Sequence, residues 1–239
     1  MEAAEAAEAT AVEVVDLATT PLRELNQRLH DLAGSPGPAR WRVLNPNGAH
    51  AVACGLDADV QVEIEGHVGY YCAGMNKRAT VRVRGNASTG LAENMMSGTV
   101  VIVGNASQSA GATGHGGLLV VHGDASARCG ISMKGIDIVV RGSVGHLSGF
   151  MAQTGRLVVL GDAGEALGDS IYEAHLYVRG IAAGLGSDCV EKEMREEHES
   201  ELSALLERSS VDDWSASEFK RYGSARKLYN FDVDNAGEY

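Results

Sequence analysis

The sequence predicts an all-β protein, a parallel β-solenoid of about seven 19-residue coils with a short helix at each end. Three observations predict this fold: an excess of glycine, a fixed spacing between seven of the glycines, and apolar residues at matching positions around them. The chain has 30 glycines among 239 residues, about 13% against an average of ~7%. A fixed period of this length is typical of repeat architectures.

The repeat is defined by seven glycines that are 19 residues apart, without insertion or deletion: Gly66, Gly85, Gly104, Gly123, Gly142, Gly161 and Gly180. The residues four before, two before and two after each glycine are all apolar; in the first coil they are Val62, Ile64 and Val68. Because side chains alternate along a strand, the two rows before the glycine share one face. The glycine is predicted to let the backbone turn a corner there.

A 19-residue unit with one short strand cannot bury its own apolar face, so each unit must stack on its neighbours. Strands stacked in register form a parallel solenoid that rises about 4.8 Å per coil. An antiparallel β-sandwich is the alternative fold, but the repeats lack the turn residues that hairpins need.

The two ends differ from the coils, and the sequence divides into three segments. We expect an acidic tail and a short amphipathic helix over residues 1–40, the solenoid over 41–188, and a helix with an aromatic-rich docking tail over 189–239. Pro21 and the leucines that follow at helical spacing predict the first helix. Asp188 with Glu191 predicts the N-cap of the second helix, whose apolar side would carry Val190, Met194, Leu202 and Leu205.

Charge and composition exclude several classes of function. The net charge is −12, of which residues 19–190 carry only −1, so the body is neutral and the ends are acidic. This balance argues against nucleic acid or an anionic membrane as a partner. The sequence has no apolar run of the ~18 residues that a membrane span needs, and its N-terminus lacks the features of a secretory signal. We therefore expect a cytoplasmic protein with reduced cysteines.

The sequence predicts no catalytic, cofactor-binding or metal-binding residue in this chain. The glycine pairs at 142–145 and 161–164 resemble dinucleotide loops, but the next element is a strand where such a loop needs a helix. Cys72 and Cys129 share a row three coils apart, roughly 14 Å, which is too far for a shared ion. Five histidines fall at five different positions of the repeat, namely His67, His115, His122, His146 and His175.

Candidate subunit interfaces are more evident than candidate chemistry. Three residues before the corner glycine, five coils carry an outward apolar residue: Val101, Val120, Val139, Val158 and Tyr177. Such a stripe has to be covered, either by the terminal helices of the chain or by another subunit. The methionines on one side of the rod and the aromatic residues of the tail are further candidates: Met75, Met95, Met96 and Met133, with Trp214, Phe219 and Tyr222.

Two features of the sequence resemble the C-terminal GXGXG domain of glutamate synthase large subunits. They are the corner pattern Gly-x-Ala/Val-Ser/Gly and the sequence of residues 92–146, from AENMMSG to RGSVGH. They are most similar to its stand-alone form, a subunit of N-methylglutamate synthase. The resemblance covers roughly residues 50–190.

This resemblance implies a right-handed parallel β-helix that acts as a scaffold. It also implies companion chains, one like the glutaminase-type amidotransferase domain and one like the synthase domain that binds FMN and an iron–sulfur cluster. The implied reaction forms N-methylglutamate and ammonia from methylamine and glutamate, and the family provides no catalytic residue to place in this chain. Two other interpretations are a β-helical subunit of a formylmethanofuran dehydrogenase or formyltransferase/hydrolase complex, and a self-sufficient carbohydrate-active β-helix enzyme.

Overall fold

The computed structural model describes residues 12–34, 39–211 and 213–226. Its elements in chain order are β1 (Val12–Asp16), α1 (Leu22–His30), β2 (Ala39–Leu44), β3 (Val60–Glu65), β4 (Thr80–Val83), β5 (Thr99–Ile102), β6 (Leu118–Val121), β7 (Lys134–Val140), β8 (Thr154–Val159), β9 (His175–Val178), β10 (Cys189–Lys192), α2 (Glu196–Arg208), a 3-10 turn (Ala216–Glu218) and β11 (Lys220–Ser224).

The strands form one sheet in the order β1 to β9, then β11 and β10. Strands β1 to β9 are parallel, and from β3 onward residues 19 apart are partners, as in the series Val81, Val100, Leu119. A second ladder of single bridges, which runs from Val68 to Ala182, joins the residues two after each corner glycine. These two ladders confirm the predicted parallel β-solenoid of about seven turns.

The interior is filled by the rows that the repeat predicts. Ile64, Leu91, Ile102 and Leu119 are completely buried in one continuous apolar cluster. Each fully buried aliphatic side chain contributes about 1.5–3 kcal/mol of transfer free energy, and the stacking of coils repeats this contribution along the rod.

The corner glycines are required mainly because adjacent coils approach closely. A left-handed φ is found only at the first of the seven, Gly66 (+129°). From Gly104 onward, each corner N–H donates to the carbonyl oxygen of the preceding corner glycine, at 3.1 Å for Gly104 on Gly85. A Cβ on Gly85 would lie 2.4 Å from the Gly66 carbonyl oxygen. The sequence predicted glycine here because it lets the backbone turn. The structure adds a second reason, which is that these corners have no room for a side chain.

A ladder of polar side chains runs beside the glycines, and the sequence analysis missed it. The side chain after each glycine accepts the backbone N–H one coil further on: Asn86 accepts from Asn105, and Asn105 accepts from Asp124, both at 2.8 Å. His67, Ser143 and Asp162 occupy the same row. The sequence contains a pattern that could have predicted this ladder, since six consecutive coils carry a hydrogen-bonding residue directly after the corner glycine. The ladder satisfies corner N–H groups that the sheet leaves unpaired.

The ends depart from prediction at two places. The segment predicted as an acidic tail contains β1, which pairs with β2 and starts the sheet. Residues 189–192, predicted as the first turn of a helix, are strand β10 and pair with β11; the helix begins at Glu196 with Arg195 as its N-cap. The proposed cap at Asp188 is therefore wrong, because the strand partner is about 30 residues away in sequence and a local capping pattern does not show it.

The predicted first helix is confirmed as α1, which directly follows Pro21. Its Leu25 and Leu29 are completely buried in the solenoid interior, so α1 closes the first end of the rod. The Arg28 guanidinium lies 5.0 Å from the Trp41 ring centroid. Neither α1 nor α2, the helices of the described residues, is long and apolar enough to cross a membrane.

Replacing Gly123 by alanine is expected to lower the free energy of unfolding by about 2–3 kcal/mol, because the added Cβ overpacks the corner. That Cβ would lie 2.0 Å from Oδ1 of Asn105 and 2.9 Å from the Gly104 carbonyl oxygen. Urea unfolding followed by circular dichroism measures the loss. Gly223→Ala is the matched control, since its Cβ would meet nothing nearer than Lys192 at 3.6 Å. Equal stability of the two variants would contradict the close-approach argument.

Candidate interaction surfaces

The outward apolar stripe is covered by the C-terminal segment of the same chain. Val120, Val139, Val158 and Tyr177 are at most 2% exposed, and Val101 is partly buried. They form one cluster with apolar residues of α2 and of the segment after it, namely Leu202, Leu205, Leu206, Val211, Ala216 and Phe219. The sequence allowed the stripe to be buried either by a terminal helix of the chain or by another subunit, and the structure shows burial by the terminal helix. Val120, Val139, Val158 and Tyr177 therefore offer no surface to another subunit, and Val101 offers only part of its side chain.

The predicted docking tail packs on its own chain as far as the structure describes it. Phe219 and Tyr222 are each 5% exposed, and Tyr222 lies in β11, which pairs with β9. Trp214 is partly exposed and stacks under the Arg179 guanidinium, 3.8 Å from its ring centroid. Phe219 and Tyr222 are thus buried within the chain, whereas Trp214 keeps an exposed part beside the α2 groove. The remaining tail aromatics, Tyr229, Phe231 and Tyr239, lie outside the described residues.

Helix α2 is held on the sheet by an ionic contact at a buried carboxylate. Asp137 on β7 is 4% exposed, and Arg156 donates to its two oxygens at 2.6 and 3.1 Å. Arg208, the last residue of α2, also donates to this carboxylate. A buried charge that loses its partners is strongly destabilising, so this contact couples the end of α2 to the sheet.

A second polar contact holds the other part of α2. The Tyr177 hydroxyl donates to Oε1 of Glu201 at 2.6 Å, and Nδ1 of His175 lies 2.9 Å from the same oxygen. Burial acts to raise the pKa of the Glu201 carboxyl, but the hydrogen bonds from His175 and Tyr177 outweigh it and lower that pKa. Burial, followed by the hydrogen bond to Glu201, raises the pKa of Tyr177.

His198 lies at the centre of this contact. It is 5% exposed, its ring centroid is 5.4 Å from that of His175, and its Nδ1 accepts the backbone N–H of Arg195 at 3.3 Å. Burial lowers the pKa of His198, and the nearby charges of Arg221 and His175 lower it further. His198 is therefore held neutral where an exposed histidine would begin to take up a proton.

The predicted methionine set divides into interior and exterior residues. Met95 and Met133 are completely buried and fill the solenoid interior. Met75 and Met96 are 52% and 44% exposed. The residue ten positions after the corner glycine is buried in the first six coils, whereas those nine and eleven after it are more exposed, so Met95 and Met96 fall on opposite sides. Aligning these positions along the repeat would have found the inward row: Asn76, Met95, Gly114, Met133, Ala152 and Ile171.

The exposed methionines belong to a larger apolar face on one side of the rod, which we call the methionine–tyrosine face. Its residues are 41–52% exposed: Tyr70, Tyr71, Met75, Met96 and Met151. Tyr71, Met75 and Met151 have left-handed φ values of 58°, 54° and 51°. Non-glycine residues rarely adopt this conformation, and here it recurs at positions five, seven and nine after the corner glycine in successive coils. The repeat thus imposes a regular local strain on this side of the rod.

The other titratable side chains of the described residues are dispersed over the rod. No group of three His, Cys, Asp or Glu residues among them is placed to hold a metal ion. Burial raises the pKa of the Cys72 and Cys129 thiols to about 12, so both stay protonated at neutral pH. Two shallow grooves of about 450 and 530 Å³ lie beside α2 and beside β1.

The structure therefore defines the class of protein as a parallel β-solenoid of about seven turns. The chain is similar to Protein GlxC of Rhizobium meliloti (strain 1021), with 64% identity over 226 residues, which is 95% of this chain and 99% of the relative. The chain belongs to the GlxC family. No family model matches the sequence.

Replacing Asp137 by asparagine is expected to lower the free energy of unfolding by about 1–2 kcal/mol, less than for a fully buried pair because Arg156 and Arg208 are partly exposed. Thermal unfolding measured by calorimetry tests this. Asp57→Asn is the matched control, since Asp57 makes an exposed pair with Lys77, and its loss should lower stability clearly less than the loss of Asp137. If D57N is the more destabilised variant, the assigned role of Asp137 is wrong.

Acidification is expected to weaken the docking of α2. The folded-state pKa of His198 lies below its ordinary 6.5 and that of Glu201 below its ordinary 4.5. A lowered folded-state pKa adds stability that is present above the unfolded-state value and is lost as pH falls. Urea unfolding should therefore show stability falling below about pH 6.5, and again below about pH 4.5.

His198→Gln isolates the first step of this loss, because glutamine does not titrate. The variant should lose less stability than the unmodified chain between pH 7.5 and 5.5. His115→Gln changes an exposed histidine and should leave the pH dependence unchanged. Parallel pH profiles for the unmodified chain and H198Q would rule out His198 as the source.

Proposed function

We propose that this chain is a non-catalytic structural subunit of a glutamate synthase-like flavoenzyme complex, and specifically of N-methylglutamate synthase. The observation that supports it most is the repeat: the 19-residue glycine corner, with its polar ladder, spans the segment that resembles the GXGXG domain. In this proposal, companion chains convert methylamine and glutamate into N-methylglutamate and ammonia, and the β-solenoid positions them.

The cofactors of the reaction belong to the companion chains in this proposal. An iron–sulfur cluster needs several thiolates at one place, and the cysteines here are dispersed along the rod at positions 54, 72, 129 and 189. The residues of this chain therefore do not fit the cluster, and FMN and the cluster are assigned to a synthase-like partner. An amidotransferase-like chain is the second partner.

A scaffold must keep its shape while it holds two partners, and the contacts along the rod favour this. Every coil is joined to the next by a strand ladder, by a bridge after the corner and by the polar ladder. The first end is closed by α1, and at the other end β11 and β10 continue the sheet beyond β9 and add Tyr222 and Cys189 to the interior cluster, so the interior rows are not left open at either end.

The methionine–tyrosine face is the surface we assign to the companion chains. Thioether side chains adapt to a partner surface, and tyrosine provides rigid contact area with a polar tip. The face is polar at its border, where Lys77 and Arg78 pair with Asp57. An apolar cluster with such a border is typical of a protein–protein contact.

Purification of the tagged chain from native cells should bring down two larger chains that carry FMN and iron, since the subunit functions within a complex. Flavin absorbance, iron analysis and intact-mass measurement of the eluate check this. Met75→Glu with Met96→Glu should lower the recovery of the companions at least tenfold, because charges then enter the contact.

Ile181→Glu is the matched control, because Ile181 is 73% exposed but lies outside the methionine–tyrosine face. It should leave recovery unchanged. A colourless chain recovered alone would contradict the proposed function. Companions that hold a pterin-type carrier or a metal centre in place of flavin would favour the formylmethanofuran-type complex.

A further inference from the structure

The outer face of the large sheet is divided into two halves of different height. The outward residues of β6–β9 lie under α2 and the segment after it, which we call the covered half. The outward residues of β1–β5 and the residue after β5, the open half, are more exposed: Val12 is 51%, Val14 57% and Val103 41% exposed, whereas Arg82 and Val101 are partly buried. A helix has a diameter of about 10–12 Å, so α2 raises one half of the face above the other by about that amount.

The open half has a small excess of positive charge, because its outward positions carry four arginines against the carboxylates of Asp16, Glu63 and Glu65. The four arginines are Arg40, Arg42, Arg82 and Arg84. Arg42 and Arg84 pair with Glu65 and Glu63 on β3. Arg40 and Arg82 form no ion pair with another described residue.

The raised surface of α2 is acidic. Its buried side carries His198, Leu202, Leu205 and Leu206. Glu196, Glu199 and Glu207 are exposed, and within the described part of the chain none of them forms an ion pair. The same outer face of the rod therefore carries an acidic ridge next to a weakly basic recess.

We propose that the outer sheet face binds a second copy of this chain. Two rods that lie face to face and run in opposite directions would place the acidic α2 of each copy over the weakly basic open half of the other. This arrangement has a two-fold axis, so it is self-complementary and closed. The two helices would then lie side by side in one layer between two sheets.

The dimensions agree with this arrangement. The 13 residues of α2 are about 20 Å long at 1.5 Å per residue, and the five strands of the open half span about 19 Å at 4.8 Å per strand. The whole face of 11 strands is about 48 Å long and about 13–23 Å wide, on the order of 600–1,100 Å². A stable interface buries about 800 Å² per partner.

This interface is independent of the proposed function. It uses the outer sheet face and leaves the methionine–tyrosine face free for companion chains. The pairing is tested on the isolated 239-residue chain, so a failure here and a failure to recover companions are separate results.

Sedimentation velocity of the purified chain at about 50 mM salt, where exposed charges are weakly screened, should show a species of twice the 25.1 kDa chain mass. Arg40→Glu with Arg82→Glu should weaken self-association at least about 100-fold, because like charges then face each other. Glu196→Arg with Glu207→Arg should weaken it similarly. Circular dichroism confirms that each variant is folded.

Mixing the two double charge-reversal variants is the most discriminating test. The two variants carry faces of opposite sign, so an equimolar mixture should form a heterodimer although each alone is a monomer. A chain with all four reversals should again form a homodimer. Arg128→Glu, a charge reversal at an exposed base outside the strands of the sheet, should leave the dimer intact.

The proposal is overturned by a chain that is monomeric at every protein and salt concentration tested. It is equally overturned by a dimer that both reversal variants retain, or by variants that do not associate when mixed.

Discussion

The close contact between corner glycines of adjacent coils is the constraint on which the rest of the structure depends. The strand spacing of a parallel sheet brings the carbonyl oxygen of one corner to within 2.4–2.9 Å of where the next corner would place a Cβ. A side chain there would force the coils apart. An inserted residue would move the glycine away from the corner, so the period is kept at 19 residues through all seven corners.

Once the corner is fixed, the other contacts follow from the same period. Interior rows meet residues of the same kind one coil away, and the residue after each glycine comes within hydrogen-bond reach of the next corner N–H. A repeat also aligns outward residues. Where these are apolar, as from Val120 to Tyr177, the chain must cover them, and α2 does so. Where they are charged or paired across strands, as on β2–β4, the face is left open.

The candidate surfaces were predictable only in part. Spacing placed the methionines on one side of the rod, but it did not separate Met95, which is buried, from Met96, which is exposed. The reason is local: left-handed residues at alternate positions set the direction of each side chain, and their recurrence is a property of the folded coil. The hydrogen bonds of α2 to Asp137 and to the Tyr177–Glu201 pair join residues 24 to 71 positions apart, which no local pattern shows.

The sequence by itself determined the solenoid, its period, its interior rows and α1, because these depend on residues close in the chain or one repeat apart. Only the tertiary structure decided that residues 189–192 form a strand, that the C-terminal segment covers the outward stripe, and which methionines remain exposed. These outcomes depend on which of several distant segments becomes buried on a given surface. That choice is set by three-dimensional distances and by the desolvation that each contact requires.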